Sequence, residues 1–209
     1  MQCPLCLRTK NPLFTTYQDR RYFRCQDCQL IYLDSKCYLT SSEEKKVYDL
    51  HKNSYDDLGY INFLKRTYNP VIKLLNTSDK GLDFGCGNGP VLAKLFEQAG
   101  HHMTLYDHYY FPDKKALEKT YQFIVATDVI EHLIRPKQEI EKLISLLELK
   151  GILAIMTKLA LNKKAFDKWH YKNDPTHVCF FSVQTFEWLA KKYHLTLIFQ
   201  QQDVIILQK

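Results

Sequence analysis

Short apolar segments alternate with polar turns in the C-terminal part of the chain, and this pattern predicts an α/β sheet. Residues 81–84, 102–106 and 123–127 are apolar runs with the length and composition of buried parallel strands. Residues 90–99 have helical periodicity, with proline in the first turn and Gly100 at the end. The order of strand, glycine-rich turn, helix and strand predicts the first unit of a doubly wound, Rossmann-like sheet.

The same pattern continues to the end of the chain. A helix is predicted from Pro136, a turn and a strand within residues 149–157, and another helix after Ser182, whose hydroxyl suits a helix N-cap. Residues 195–199 and 204–207 then form two apolar runs with a short connection, which predicts an antiparallel pair at the sheet edge. We therefore expect a mostly parallel sheet with an antiparallel last strand.

The segment that precedes the sheet has a helical pattern. Ser41 to Glu44 form a capping-box sequence, which predicts a helix that continues to about Leu50. Apolar residues then recur near helical spacing at Leu58, Ile61, Leu64, Tyr68, Ile72 and Leu75. Pro70 lies within this pattern and is expected to break or kink the helix. We interpret residues 39–76 as a helical connector.

The first 38 residues have the pattern of a small module of their own. Residues 13–17 and 21–24 are short strand-like runs around a polar turn. A module of this size buries too little apolar surface to be stable alone, so it needs another source of folding energy. The chain therefore divides into a module over residues 1–38, the connector, and a main domain over residues 77–209.

Two pairs of cysteines in the module can supply that folding energy. Cys3 with Cys6, and Cys25 with Cys28, form CxxC pairs separated by 18 residues, a spacing typical of zinc sites. Four thiolates would complete a closed tetrahedral shell around one structural Zn²⁺. The alternative is a set of free thiols or a knuckle that has lost its ion. We predict a zinc-ribbon-like module.

Composition limits the classes of protein to which the chain can belong. Its 209 residues are 45% hydrophobic and 25% charged, which excludes disordered and coiled-coil proteins. The apolar runs are too short to span a bilayer and the N-terminus lacks signal-peptide features, so we expect a cytoplasmic protein with no membrane partner. The net charge of +6 is compatible with a nucleic-acid partner without requiring one.

The glycine-rich turn after the first strand of the main domain carries the most informative motif. Its glycines are Gly85, Gly87 and Gly89, preceded by Asp83, and proline stands where the dinucleotide fingerprint has its third glycine. This DxGxGxG sequence resembles the first motif of class I S-adenosylmethionine (SAM)-dependent methyltransferases. The resemblance implies that these four residues surround SAM, together with Cys86 as a small residue that fits the turn. The alternative is that the glycines only allow tight helix–strand packing.

Two further motifs extend the resemblance over about residues 55–209. Asp107 follows the second strand, where an acid can accept hydrogen bonds from the ribose hydroxyls of the cofactor; the alternative is a turn residue. Asp128, Glu131 and His132 belong to a DVIEHL sequence, which resembles the stretch after the fourth strand of many such methyltransferases. The resemblance implies cofactor contacts from the two acids and a catalytic role for His132. The alternative is helix capping or core packing.

One region departs from the family pattern. Only fifteen residues separate Asp107 from Phe123, where the family usually has a helix, a third strand and an acid beside the adenine ring. We expect the third strand to be short or absent, and His108 or Tyr109 to replace the missing adenine contact.

The segment after the strand within residues 149–157 is expected to line the acceptor site, because ligands of such sheets bind at the carboxyl ends of the strands. His177 is the predicted general base and Asp174 the residue that orients it; the alternative is a turn followed by a helix cap. Trp169 and Tyr171 are predicted to stack on a planar acceptor, with core packing as the alternative.

These features favour an enzyme that transfers a methyl group from SAM to an acceptor, with a small metabolite slightly favoured. The chain lacks Asn-Pro-Pro-Tyr, typical of certain amino-group methylators, and lacks a Pro-Cys nucleophile after the fourth strand. The module resembles four-cysteine modules on some bacterial methyltransferases of RNA bases and of sugars. An RNA-base methyltransferase is therefore one alternative, since residues 20–24 combine three arginines with aromatic side chains. The other is an inactive SAM-binding protein that interacts through the module.

Overall fold

The computed structural model describes residues 1–50 and 53–209; residues 51 and 52, inside the predicted connector, lie outside the described residues. In chain order, the strands are β1 (Leu13–Tyr17), β2 (Arg20–Arg24), β3 (Ile31–Leu33), β4 (Lys80–Phe84), β5 (His102–Tyr106), β6 (Tyr121–Thr127), β7 (Leu147–Met156), β8 (Cys179–Phe180), β9 (Thr196–Gln201) and β10 (Val204–Gln208). The helices are α1 (Ser41–Tyr48), α2 (Leu58–Ile72), α3 (Val91–Gln98), α4 (Pro136–Leu146), α5 (Lys163–Asp167) and α6 (Val183–Tyr193).

The larger sheet has the strand order β5-β4-β6-β7-β10-β9. Strands β4 to β7 run parallel, and β10 is antiparallel to both of its neighbours, as the sequence predicts. Within the described residues 107–120 the structure has a single bridge between Asp107 and Phe111 and a 3₁₀ turn over Lys114–Glu118. The third strand is therefore absent, and β5 is the outer strand on that side.

Both faces of the larger sheet are covered at its centre, which explains the continuous apolar run in β6. In β6, Phe123 and Val125 pack in a cluster with α2 and α3, whereas Ile124 and Ala126 pack with α4 and α6 on the other face. This alternation follows from the two-residue period of a strand. The layered arrangement leaves the carboxyl ends of β4 to β6 free to hold a ligand.

The smaller sheet joins the N-terminal module to the rest of the chain. Its order is β1-β2-β3-β8, and β8 pairs with β3 through Ile31 with Phe180 and Tyr32 with Cys179. The buried residues of the module belong to the same apolar cluster as α4 and α6. The sequence pattern does not predict β3 or β8, because strands of three and two residues are too short to show a period.

Two details of the helices differ from the sequence prediction. The N-cap of α1 is Thr40, which forms a capping box with Glu43, so the start predicted at Ser41 is displaced by one residue. Helix α2 continues past Pro70 to Ile72, so the predicted break is wrong. Pro70 lies in the last turn, where its missing N–H removes only one hydrogen bond near the helix end. Among the described residues, no helix combines the length and apolar character needed to cross a membrane.

Candidate active site

A cavity of about 930 Å³ lies at the carboxyl ends of β4, β5 and β6, beside α1 and α2. Ligands of open α/β sheets bind at this edge. The predicted site residues that line it are Gly85, Cys86, Gly87, Asp107, His108, Asp128, His132, Tyr171, Asp174 and His177. The predicted site residues that lie outside its lining are Asp83, Gly89, Glu131 and Trp169. Predicted residues from four separate segments of the chain therefore converge on one cavity.

Two glycines of the glycine turn, Gly85 and Gly87, line this cavity. Gly85 and Gly87 have φ angles of +75° and +66°, a conformation that favours glycine. A Cβ atom at Gly85 would lie only 2.4 Å from Cγ2 of Val129. A Cβ atom at Gly89 would lie 2.3 Å from the carbonyl oxygen of Asn53. The missing side chain at Gly85 therefore leaves room for Val129, and those at Gly87 and Gly89 leave room for Asn53.

Asp107 connects the glycine turn to the loop that follows β5. Its Oδ2 atom accepts a hydrogen bond of 3.0 Å from the Gly87 N–H group. Its Oδ1 atom accepts hydrogen bonds from the N–H groups of Tyr109 and Tyr110, at 2.8 and 3.0 Å. A carboxylate has about four acceptor positions, so Asp107 retains capacity to accept a ligand hydroxyl. His108 lines the cavity in an exposed position beside it.

Asp83 lies beneath the turn and contacts α3 instead of the cavity. Its buried carboxyl accepts a hydrogen bond from the Ala93 N–H group, and burial raises its pKa to about 7. Cys86 lines the cavity, and burial raises the pKa of its thiol above the usual range. A neutral thiol is a poor nucleophile, which agrees with the interpretation of Cys86 as a small residue that fits the turn.

Glu131 lies outside the cavity lining and contacts Tyr171, which belongs to that lining. Its side chain is fully buried, and its Oε1 atom accepts a hydrogen bond from the Tyr171 hydroxyl. Burial and the nearby Asp128 charge raise the pKa of Glu131 to about 8. Asp128 itself lines the cavity with a positive φ of 51°, and burial raises its pKa to about 6. These two carboxyl groups therefore have raised pKa values.

His177 lies in the cavity wall and has a fixed orientation. Its Nδ1 atom is 2.7 Å from the Tyr171 carbonyl oxygen, which can only accept, so Nδ1 carries the proton and Nε2 carries the lone pair. Burial lowers the pKa of His177, which favours this neutral form. The ring of His132 lies beside it, with 4.6 Å between ring centroids.

Asp174 is placed differently from the orienting role that the sequence suggests. Its Oδ2 atom is 3.9 Å from Nε2 of His177, which is beyond hydrogen-bond distance. Its Oδ1 atom accepts hydrogen bonds from the N–H and hydroxyl groups of Thr176, which form a turn. The main-chain carbonyl of Tyr171, and not Asp174, therefore orients the imidazole. The predicted turn is also present.

Trp169 belongs to an aromatic cluster and not to the cavity lining. Its ring lies 5.9 Å from that of Phe166 and 6.0 Å from that of Phe180, between centroids. The core-packing alternative therefore describes Trp169. Tyr171, by contrast, lines the cavity while its hydroxyl is bound to Glu131.

The four cysteines of the N-terminal module converge on one point. Their sulfur atoms lie within 4.8 Å of one another, with 3.5 Å between Cys3 and Cys28 and 3.3 Å between Cys6 and Cys25. A tetrahedral zinc site needs sulfur atoms about 3.8 Å apart, so these positions fit the ion. Leu7 and Gln29, each directly after a CxxC pair, have nearly equal φ angles of +65° and +61°. The two pairs therefore form similar turns.

The thiols also need a cation if all four are to be charged. Hydrogen bonds from Cys28 and Cys3 lower the pKa of Cys25, and the same bonds raise the pKa of the two donors. Among Cys3, Cys25 and Cys28, the cluster by itself therefore favours the thiolate of Cys25. A divalent cation would stabilise the thiolate form of its partners.

Sequence reasoning did not identify several residues around the cavity. Helix α1 lies along its rim, where the Tyr109 hydroxyl donates to Glu44 at 2.6 Å and the Tyr110 hydroxyl donates to Asp49 at 2.8 Å. Lys158 and His170 also line the cavity, and they belong to the segment that the sequence places at the acceptor site. Glu44, Asp49 and Tyr110, by contrast, carry no motif and meet residues distant in sequence, so no local pattern could reveal them.

Arg20 is another residue that sequence reasoning assigned only to a basic surface. Its guanidinium group donates hydrogen bonds to the carbonyl oxygens of Lys172, Asp174 and His177, at 2.9, 3.2 and 3.1 Å. Through these bonds, the first residue of β2 holds the segment that carries His177.

Solved structures with a similar fold are methyltransferases. One is the 1,6-didemethyltoxoflavin-N1-methyltransferase from Burkholderia thailandensis, which was solved with 1,6-didemethyltoxoflavin and S-adenosylhomocysteine. Its sequence is 14% identical to this chain and its TM-score is 0.56. The match covers 93% of this chain and 97% of that enzyme. A SAM-dependent methyltransferase from Archaeoglobus fulgidus is 14% identical, with a TM-score of 0.56. The match covers 79% of this chain and 99% of that enzyme. A third is magnesium protoporphyrin IX methyltransferase from Synechocystis PCC 6803, which was solved with S-adenosylhomocysteine. It is 14% identical, with a TM-score of 0.51, and the match covers 80% of this chain and 93% of that enzyme.

At such identities, these structures establish the fold alone. Among proteins with curated descriptions, none matches the sequence significantly. The sequence model of the methyltransferase domain, however, matches residues 58–200, about two thirds of the chain. The matched region contains the glycine turn, Asp107 and the segment that carries His177. The chain therefore belongs to the methyltransferase domain family.

Proposed function

We propose that this protein transfers a methyl group from SAM to a small-molecule acceptor in the cavity. The observation that carries the proposal is the glycine turn that lines the cavity at Gly85 and Gly87, with the Asp107 carboxylate accepting a hydrogen bond from Gly87 at the cavity edge. The glycine turn suits the methionine part of SAM, and Asp107 suits its ribose hydroxyls. The structural neighbours from Burkholderia and Synechocystis were solved with S-adenosylhomocysteine, which supports the same donor here.

The charge of the cavity favours a small acceptor over RNA. Its described lining includes five acidic side chains and two basic ones: Glu44, Asp107, Asp128, Glu139 and Asp174 against Arg135 and Lys158. Excess negative charge attracts the SAM sulfonium and repels a phosphate backbone. The acceptors in the names of the toxoflavin and protoporphyrin enzymes are also small molecules.

The arginines that suggested RNA binding are already engaged within the protein. Arg20 binds main-chain carbonyls, Arg21 forms an ion pair with Asp34, and the Arg24 guanidinium lies 5.7 Å from the centroid of the Phe14 ring. We therefore assign the module a structural role, with one Zn²⁺ bound by its four cysteines.

Calorimetry with SAM and S-adenosylhomocysteine tests the donor. We expect both to bind the folded protein with one site per chain, and no binding of either would overturn the proposal. A labelled-methyl assay on metabolite extract and on total RNA then tests the acceptor. We expect label in the small-molecule fraction; label confined to RNA would favour the RNA-base alternative, and no label in either would favour an inactive SAM-binding protein.

A further inference from the structure

We propose that Glu131, His132 and His177 form a binding site for a divalent cation on the acceptor side of the cavity. Each residue offers one ligand atom, and the three atoms lie within 4.8 Å of one another. The two histidines line the cavity, and Glu131 lies buried behind them. The cluster is separate from the four cysteines, and it uses residues that the sequence suggests for other roles.

The Glu131 carboxylate has an oxygen atom that the rest of the described protein leaves without a partner. Oε1 accepts the Tyr171 hydroxyl, whereas Oε2 is fully buried and makes no hydrogen bond. Buried carboxylate oxygens are normally hydrogen-bonded or bound to a metal. A cation between Glu131 and the histidines would give Oε2 its missing partner.

His177 has the arrangement by which proteins prepare a histidine for a metal. Its Nδ1–H donates to the Tyr171 carbonyl, so the Nε2 lone pair is available. Tyr171 therefore positions two ligands at once, Glu131 through its hydroxyl and His177 through its main chain. This shared support distinguishes the cluster from a chance meeting of polar side chains.

The ligand set indicates the class of cation. Two imidazoles and one carboxylate suit borderline divalent ions such as Mn²⁺, Co²⁺, Fe²⁺ and Zn²⁺. Bond lengths of about 2.1 Å place ligand atoms roughly 3 to 3.5 Å apart, so small rotations of the histidine rings would complete the site. Three protein ligands leave further positions open toward the cavity, for water or for an oxygen atom of the acceptor.

The consequence for the reaction rests on the proposed function. A cation at this site would favour an acceptor hydroxyl, because a bound hydroxyl loses its proton to water more readily. Its oxygen then forms a bond to the methyl carbon as the carbon–sulfur bond of SAM breaks, which leaves S-adenosylhomocysteine. In this arrangement His177 acts as a ligand, in place of the base that the sequence suggests.

The test uses protein loaded with one Zn²⁺ per chain, enough for the four cysteines alone, and titrates it with Mn²⁺ while electron paramagnetic resonance measures the free ion. We expect one Mn²⁺ per chain with a micromolar dissociation constant, and at least tenfold weaker binding for Glu131→Gln and His177→Asn. The glutamine can still accept the Tyr171 hydroxyl, so the wall should stay folded, and thermal unfolding checks this. Visible absorption of Co²⁺ serves as a second probe.

Matched controls come from the same cavity. His170→Asn and Glu139→Gln change the same residue types in its lining, outside the cluster, and should leave Mn²⁺ binding unchanged. If neither Mn²⁺ nor Co²⁺ binds, or if all four variants bind equally, the cation site is wrong. Retained SAM binding in that case would leave the proposed function intact, whereas cation binding without SAM binding would overturn only the proposed function.

Discussion

Asp83 and Asp107 belong to the same predicted cofactor motif, and the structure gives them different surroundings. Asp107 is half-buried at the cavity edge, whereas Asp83 is buried under the start of α3. The spacing of the motif predicts that both acids lie near the turn. It does not predict which of them faces the ligand, because this depends on how α3 packs over β4.

At this scale, Asp107→Ala is expected to weaken SAM binding about tenfold or more. The variant removes the acceptor of the Gly87 N–H group and a charged acceptor for the ribose, and such bonds contribute about 1.5 to 3 kcal/mol. Calorimetry measures the effect. Asp113→Ala is the control, because it removes an acid of the same loop that caps the 3₁₀ turn outside the cavity lining. Equal affinities of the two variants would contradict the assignment.

Asp83 predicts a pH dependence of folding stability. Its pKa is about 7 in the folded protein against an ordinary value of 3.8, so its contribution is present below about pH 4 and is lost as pH rises through 7. Between pH 5 and 8, the free energy of unfolding of the wild type should fall by up to about 3 kcal/mol relative to that of Asp83→Asn. Urea unfolding at both pH values measures this difference. A parallel change in the exposed-site control Asp113→Asn would show that Asp83 is not the cause.

At the scale of elements, the predictable part of the fold is the part with a clear period. Strands β4 to β7 and helices α3, α4 and α6 follow from apolar runs, proline, glycine and a serine cap. Strand β8 has two residues, so no pattern in the sequence indicates that Cys179 would pair with Tyr32. The sheet shared between the module and the main domain arises from this long-range pairing.

Arg20, the first residue of β2, provides a test of that connection. Arg20→Ala removes the hydrogen bonds to the carbonyls of Lys172, Asp174 and His177. We expect faster amide exchange over residues 170–178, a several-fold lower turnover, and unchanged SAM affinity, because the glycine turn is untouched. Arg8→Ala, which breaks an exposed ion pair with Asp27, is the control. Unchanged exchange in the Arg20 variant would mean that the segment is held by other contacts.

At the scale of the whole molecule, one apolar cluster extends from the cysteine turns to α4 and α6. Sequence reasoning predicts the ligands of the cysteine cluster from their spacing alone. It does not predict the grouping of Glu131, Tyr171 and His177, because these residues lie 40 and 6 positions apart and meet only after the sheet has formed. The candidate site is thus predictable near its motifs and unpredictable where segments from different elements meet.

Loss of the proposed zinc should therefore destabilise more than the module. We expect Cys28→Ser to lower the melting temperature by about 10 °C, since about 3 to 5 kcal/mol corresponds to this shift in a chain of this size. Cys37→Ser, which changes a cysteine outside the cluster, should have little effect. Metal analysis and calorimetry measure both variants. A wild type that contains no zinc, or equal melting temperatures, would contradict the zinc assignment.

The hydrogen bonds that Tyr171 makes to Glu131 and to His177 respond differently to substitution of Tyr171. The hydroxyl that meets Glu131 is lost with a single change to phenylalanine, whereas the carbonyl that meets His177 is main chain and persists whatever side chain stands there. A substitution at Tyr171 could therefore change the hydrogen bonding of the Glu131 carboxyl group without changing the tautomer of the His177 imidazole. Descendants of this scaffold have a one-step route to new acceptor chemistry around a histidine whose proton stays in place.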